Sequence, residues 1–216
     1  MKLKDEIQLL LASYSTPDAA AAVISEAMAR LDHNREAPGI AVGERAPDFR
    51  LPNSAGEVVW LQQRLQQGPV VVSFFRGAWC PICNLQLRAL HRAMPELRAA
   101  GGTLVGIHPD AARFGSPEES LDFDIVRDVD QAVIRAYVLQ FVVPAQVQQI
   151  YTNIFNTDIS RLNADGSWCL PVPGTFVIDQ EGIVRRRHVT ADFTRRMEPD
   201  EVIEALEELR GAKSPN

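Results

Sequence analysis

The sequence predicts an α/β protein in which a mixed central sheet carries helices on both faces, with a helical extension at the N-terminal end. Three observations lead there. "PVVVSFF" at 69–75 is an apolar, β-branched run without strict alternation, the pattern of a central strand covered on both sides. Strand-like and helix-like stretches then follow in the order β, α, β, α, β, α, β, β, α, which builds a sheet layered with helices. Near the end, "GTFVID" and "GIVRRRHV" fold back on each other through the compact turn "QEG", so an antiparallel hairpin makes the sheet mixed.

Taken in order, residues 1–35 read as helical. Thr16 is placed to cap a helix whose first residue is Pro17, and Val23, Ile24, Ala27, Met28 and Leu31 follow the 3.6-residue period along one face. That face packs on the main domain or on a second subunit, the first being preferred for an arm of this length. "NREAPGIAVGERAPDF", rich in Gly and Pro, is the linker. The extended "EVVWL" and a helical turn at "QQRLQQ" lead to the central strand. Pro81 to Ala100 then reads as a helix with Cys83, Leu87, Leu90, His91 and Met94 near one stripe, which Pro95 kinks or ends early.

"GTLVGIH" is the next strand, Ser116 to Ser120 opens a helix, "FDIVRD" is a short strand, and "DQAVIRAYVLQF" returns to helix. Pro144 to Ile159 is compatible with helix or ordered loop. After the hairpin, Glu198 to Arg210 closes the fold as a helix with Val202, Ile203, Leu206 and Leu209 on one stripe. The expected division is an arm and linker at 1–38, a main domain at 39–212, and a frayed end at 213–216 within a polar tail that starts at Gly211.

With 216 residues, 46% of them apolar, the chain can bury one sizeable core. A net charge of −6 argues against nucleic acid or an anionic membrane as partner. The short basic cluster "VRRRH" at Val184 to His188 is expected to be a solvated face. "MKLKDEIQLLLASYS" makes a poor signal peptide because acids precede its apolar triplet. No stretch approaches a transmembrane span. The expectation is therefore a cytoplasmic protein whose thiols are kept reduced. Its three cysteines, an odd number, do not make a disulfide scaffold.

Chemistry concentrates in "FFRGAWCPICNLQLRAL". Cys80 and Cys83 fall where a strand has ended and a helix begins. The unpaired N–H groups of a helix start favour a thiolate over a thiol. Pro81 suits the first turn because it has no N–H to leave unsatisfied, and Trp79 is placed to shield the site. A zinc site needs a second ligand pair at tight spacing. The remaining candidates, Cys169 and His33, His91, His108 and His188, are scattered. No metal is expected, and redox chemistry is preferred over two inert buried cysteines. In "CLPVPGTFVID", Pro173 stands on the approach to a strand, where a cis peptide would expose a backbone edge to substrate and a trans peptide would merely enter the sheet.

Several separated segments agree in order with a known family. "WCPIC" after a strand, "PGTFVIDQEGIV" some ninety residues later, the flanking "VGERAPDFRLPNSAGEVVWL" and the strand end "GIHPD" resemble the thioredoxin superfamily and, within it, the peroxiredoxin branch of alkyl hydroperoxide reductases and thiol-specific antioxidant proteins, over roughly residues 40–210. The resemblance implies a thioredoxin-like fold and a thiol-dependent peroxidase without a cofactor. It gives Cys83 the peroxidatic position and Cys80 the place of a threonine, with Arg76 where a proline would stand. On that reading a Cys83 sulfenic acid is resolved by Cys80 as an intramolecular disulfide, which a thioredoxin-like or glutaredoxin-like donor reduces. Homodimers are common in such proteins, and the arm could serve that interface. The supporting arginine of typical members is missing, leaving Arg76, Arg127 or Arg185 to compensate, with Arg76 nearest.

A thioredoxin-like reading exchanges the two roles: Cys80 attacks a disulfide and Cys83 resolves. A redox-regulated binding protein without useful turnover is the third reading. Cys169 lies four residues before Pro173 and is either a second resolving thiol or an idle one packed by Trp168 and Leu170, the idle role being preferred. His108 ends a strand on the side where active-site loops collect; it tunes a thiolate or, as preferred, lies on the surface or in a second layer. His91 is expected to be packed or solvated, and Asp179 and Gly182 to be turn residues.

Overall fold

A computed structural model of the chain describes residues 1–111 and 121–212. In chain order its elements are α1 (Leu3–Ser13), α2 (Asp18–Asn34), β1 (Arg50–Pro52), β2 (Val58–Trp60), α3 (Leu61–Leu65), β3 (Val70–Phe74), α4 (Pro81–Arg92), α5 (Met94–Ala99), β4 (Thr103–His108), β5 (Asp124–Arg127), α6 (Ala132–Ala136), β6 (Gln140–Val142), α7 (Ala145–Asn153), α8 (Ile159–Leu162), β7 (Cys169–Pro171), β8 (Gly174–Ile178), β9 (Val184–Val189) and α9 (Pro199–Ala212).

Among the described residues the central sheet has five strands in the order β5-β4-β3-β8-β9. β3 runs parallel to β4 and antiparallel to β8, so the sheet is mixed and "VVVSF" is its middle strand. Alternate residues of a strand point to opposite faces, and both faces of β3 are apolar. Val70, Val72 and Phe74 enter a core shared with α2 and α7, while Val71 meets Leu104, Val177 and the stripe of α9. All five residues of β3 are fully buried, which is why the run shows no alternation.

The arm packs within the chain. Leu3 and Ile7 of α1 join Phe75, Ile82 and Cys83 in one cluster, and Ile24, Ala27 and Leu31 of α2 join the main core. The Glu198 carboxylate accepts from the N–H groups of Leu3 and Lys4 at 2.9 and 2.8 Å, satisfying donors that a helix start leaves open. Thr16 does not cap α2: Pro17 itself is the extended N-cap residue and Asp18 is the first helical one.

"DQAVIRAYVLQF" is not one helix. Val138 takes a positive φ of 55°, which ends α6, and β6 then pairs antiparallel with β7 some thirty residues on. Local periodicity cannot register such a distant partner. Pro144 to Ile159 resolves mainly as helix α7. The break before Pro95 separates α4 from α5 as expected. Gly211 belongs to α9 rather than to a frayed tail. The expected helix at Ser116 to Ser120 and the end at 213–216 lie outside the described residues. The arginines of β9 are tied down: Arg185 to Asp179, Arg186 to Glu208, and Arg187 to the carbonyls of Gly39 and Ile40. No described helix is long and apolar enough to cross a membrane.

Candidate active site

The chain leaves β3 through Phe75, whose N–H still bonds to the Ile107 carbonyl at 3.0 Å. It then turns sharply at Gly77, where φ is +146°, a region open essentially only to glycine. A side chain there would also collide with the Asp110 carboxylate, both of whose oxygens lie 2.5 Å from where a Cβ would be. Asp110 is buried and accepts from the Ala78 N–H at 2.8 Å. The loop that presents the first cysteine is thus clamped from the end of β4.

Cys80 is the N-cap residue of α4 and Pro81 the residue after it; the Cys80 sulfur accepts from the Cys83 N–H at 3.4 Å. A thiolate there takes the place a capping oxygen usually fills. Arg76 Nη2 donates to the same sulfur at 3.1 Å, and Nη1 donates to the Tyr151 hydroxyl at 2.5 Å. The guanidinium also lies 4.1 Å from the centre of the Phe193 ring and 5.1 Å from that of Trp79. Cys83, one turn further along, has Arg196 Nη2 at 3.8 Å from its sulfur. Both sulfurs have no exposed surface, and both arginines are buried. Among the described residues neither guanidinium has a carboxylate at ion-pair distance, so the sulfurs are the anionic partners within reach.

The two thiols are driven apart. Burial alone would push Cys80 up. The hydrogen bond from the Cys83 thiol, the charges of Arg76 and Arg196, and the Cys83 N–H outweigh it and hold Cys80 well below the usual thiol range. Burial, the hydrogen bond to Cys80 and the negative charge of Cys80 push Cys83 well above that range, the two arginines offsetting this only in part. Between the two sulfurs, negative charge is therefore favoured on Cys80 and a proton on Cys83.

Most of the expected supporting residues gather here. Trp79 is half-buried and meets the Tyr151 ring edge-on, 5.8 Å between centres. Pro173 lines a small chamber of about 10 Å³ together with Arg76 and Tyr151. Its peptide is trans, as are all described peptides. His108 is fully buried, not on the surface: its Nδ1 lies 3.7 Å from Asp110 Oδ2 and its ring stacks on Phe75 at 5.0 Å. It stands behind the loop that Asp110 holds.

Cys169 is half-buried in β7, opposite Val142, and its carbonyl accepts from Asn163 and Gln131. Arg127 and Arg185 are engaged elsewhere, with the Ala111 carbonyl and with Asp179. Asp179 is more than a turn residue, since it is buried and also accepts from the Ile183 N–H. The sequence reading missed Arg196, Tyr151 and Asp110. Tyr151 carried a weak signal as the end of the Val147, Ile150, Tyr151 stripe of α7; Arg196, 113 positions on from Cys83, carried none.

A cysteine pair opening the helix that leaves the middle strand of a mixed sheet defines a protein of the thioredoxin-like fold class. Within that class, residues 42–187 match the AhpC/TSA family, and the chain belongs to it. Peroxiredoxin Bcp of Escherichia coli strain K12 is 34% identical over 102 residues, which cover 45% of this chain and 64% of that protein. The matched stretch therefore spans less than two thirds of that relative. Thioredoxin-like protein YneN of Bacillus subtilis is 25% identical over 166 residues, covering 77% of this chain and 82% of that one. Among solved structures, peroxidoxin BcpB from Mycobacterium tuberculosis shares the fold at a TM-score of 0.59 and 21% identity, covering 81% of this chain and 99% of that one.

Proposed function

We propose that the chain is a thiol-dependent peroxidase that reduces hydrogen peroxide or organic hydroperoxides through Cys80 and Cys83. The observation that carries this is the Cys80 sulfur, wholly buried with the Arg76 guanidinium donating to it at 3.1 Å, a contact that favours its thiolate. A peroxide is small enough to approach such a sulfur with the first turn of α4 closed, whereas a disulfide on a folded protein needs that turn to open. The arginine that stabilises the thiolate also faces the charge that develops on the departing oxygen. Family membership supports the same chemistry.

In this reading the Cys80 thiolate attacks the terminal oxygen of ROOH. An S–O bond forms and the O–O bond breaks; RO⁻ leaves and takes a proton to become ROH, and Cys80 becomes a sulfenic acid. Cys83, deprotonated in turn, attacks the Cys80 sulfur; hydroxide leaves, is protonated to water, and an intramolecular disulfide remains. A thioredoxin-like or glutaredoxin-like dithiol reduces that disulfide by exchange, after the first turn of α4 opens to admit it. The cytoplasm is the compartment that would keep the pair reduced between cycles.

The resemblance assigns first attack to Cys83, but its proton and its longer arginine contact favour Cys80. The test is rapid mixing of reduced wild type, Cys80→Ser and Cys83→Ser with hydrogen peroxide, with sulfenic acid trapping and mass spectrometry. A sulfenic acid on Cys80 in the Cys83→Ser protein, with oxidation lost in Cys80→Ser, is expected. Trapping on Cys83 in Cys80→Ser keeps the peroxidase and reverses the order. Inertness to peroxide alongside fast disulfide exchange through Cys80 replaces the peroxidase by a thiol-disulfide oxidoreductase.

A further inference from the structure

We propose that the groove between α2 and the cysteine loop holds the organic body of the substrate, so that the arm selects bulky, apolar hydroperoxides over hydrogen peroxide; this rests on the peroxidase reading above. The groove encloses about 980 Å³, at the upper end of the range for sites that bury a drug-sized ligand. Hydrogen peroxide needs almost none of it.

Three surfaces meet there. Arg76, Trp79 and Tyr151, the residues around the Cys80 sulfur, form its inner end. Ile24, Ser25 and Met28 line it from α2, Met28 following the other two by four and three residues and so neighbouring both on the helix surface. Phe155 and Phe193 line it too. Phe155 is 38% exposed and neighbouring Ile154 44%, apolar surface that a water-filled groove leaves wet and an apolar substrate would cover.

The position of these residues in the chain adds a second argument. The family match spans 42–187, whereas α2 precedes it and the Phe193 segment follows it. The inner end lies within the matched span, while the α2 and Phe193 sides of the lining lie outside it. The α2 side is also anchored, since Ile24 and Leu31 sit in the main core and α1 is held through Glu198. A fixed passage with an apolar α2 and phenylalanine lining, whose inner end is formed by the side chains around Cys80, would align a hydroperoxide whose carbon body fills it, raising the rate through orientation.

Ser25 and Ala29 are exposed, small and directed into the groove, so tryptophan at either position fills space without disturbing the core. The experiment compares oxidation of wild type, Ser25→Trp and Ala29→Trp by hydrogen peroxide and by cumene hydroperoxide. Wild type is expected to react at least about tenfold faster with cumene hydroperoxide, and each variant to lose about tenfold with it while staying within about twofold for hydrogen peroxide, as loss of an apolar subsite predicts. Normal oxidation by hydrogen peroxide with no change in selectivity overturns the groove assignment alone. Inertness of wild type to both oxidants overturns the peroxidase reading, and this inference with it.

Discussion

Two loops meet at the sulfurs, and they are built differently. The loop from Phe75 to Cys80 leaves the middle strand and is fixed within the fold's own frame: Gly77 turns it, Asp110 holds Ala78, and Arg76 points back to the sulfur four residues on. The loop from Thr190 to Met197 joins β9 to α9 and delivers Arg196 and Phe193 from the far end of the chain. The first places Arg76 against the Cys80 sulfur and so favours a negative charge there. The second adds a weaker, longer contact to Cys83 and a ring against Arg76. In the proposed reaction Arg76, in closer reach of Cys80, acts chiefly on the nucleophile, and Arg196 chiefly on its partner.

Arg76→Met should break the comparison hardest, because it keeps the stem and removes the charge nearest Cys80. The rate of Cys80 oxidation is expected to fall by about 10²-fold or more, the scale set by loss of one preorganised donor. The sign with pH follows from the same cause. Arg76 lowers Cys80 and burial raises it, so without the arginine the thiolate forms only at higher pH. Alkylation by iodoacetamide should therefore have its midpoint below the ordinary thiol value of about 8.5 in wild type and shift upward in the variant. A midpoint that does not move would mean that the helix start, not Arg76, holds the charge.

Arg196→Met should act chiefly on the second step and less strongly. Its guanidinium favours a negative charge on Cys83, so its loss makes that thiol harder to deprotonate. The expected result is about a tenfold slower disulfide formation, on the scale of one charge-assisted hydrogen bond, with the Cys80 sulfenic acid accumulating long enough to trap. Equal slowing of both steps would dissolve the division of labour between the two arginines.

The same contrast explains how much was legible in the sequence. The cysteine pair, the helix that Pro81 opens, the fully apolar "VVVSF" and the closing hairpin were readable because each is a local pattern: a period, a cap or a turn. Arg76 was readable as a candidate because it stands in the same loop as the sulfur it serves. Arg196 was not, since it reaches Cys83 only after the whole sheet has formed. The β6 and β7 ribbon was missed for that reason as well: "QFV" has helix-like neighbours and a strand partner thirty residues away. His108 went to the interior because its strand ends beneath the cysteine loop, a depth that a single residue in "GIHPD" does not announce.

The smallest effect sharpens the comparison from behind the first loop. Asp110 touches neither sulfur; it accepts from the Ala78 N–H, stands beside the turn at Gly77 and has His108 Nδ1 at 3.7 Å. If that hydrogen bond is what positions Cys80 against Arg76, an amide should serve nearly as well as a carboxylate, because its oxygen still accepts. Asp110→Asn is then expected to oxidise within about threefold of wild type, while Asp110→Ala, which leaves a buried N–H unpaired, should lose about tenfold. The pH midpoint of Cys80 should follow the same order, shifting upward in the alanine variant as Arg76 loses register with the sulfur. A full loss in Asp110→Asn would show that the charge of Asp110, and not its grip on the loop, contributes to the chemistry, and would move it from positioning the first loop to acting in the proton transfer between the two thiols.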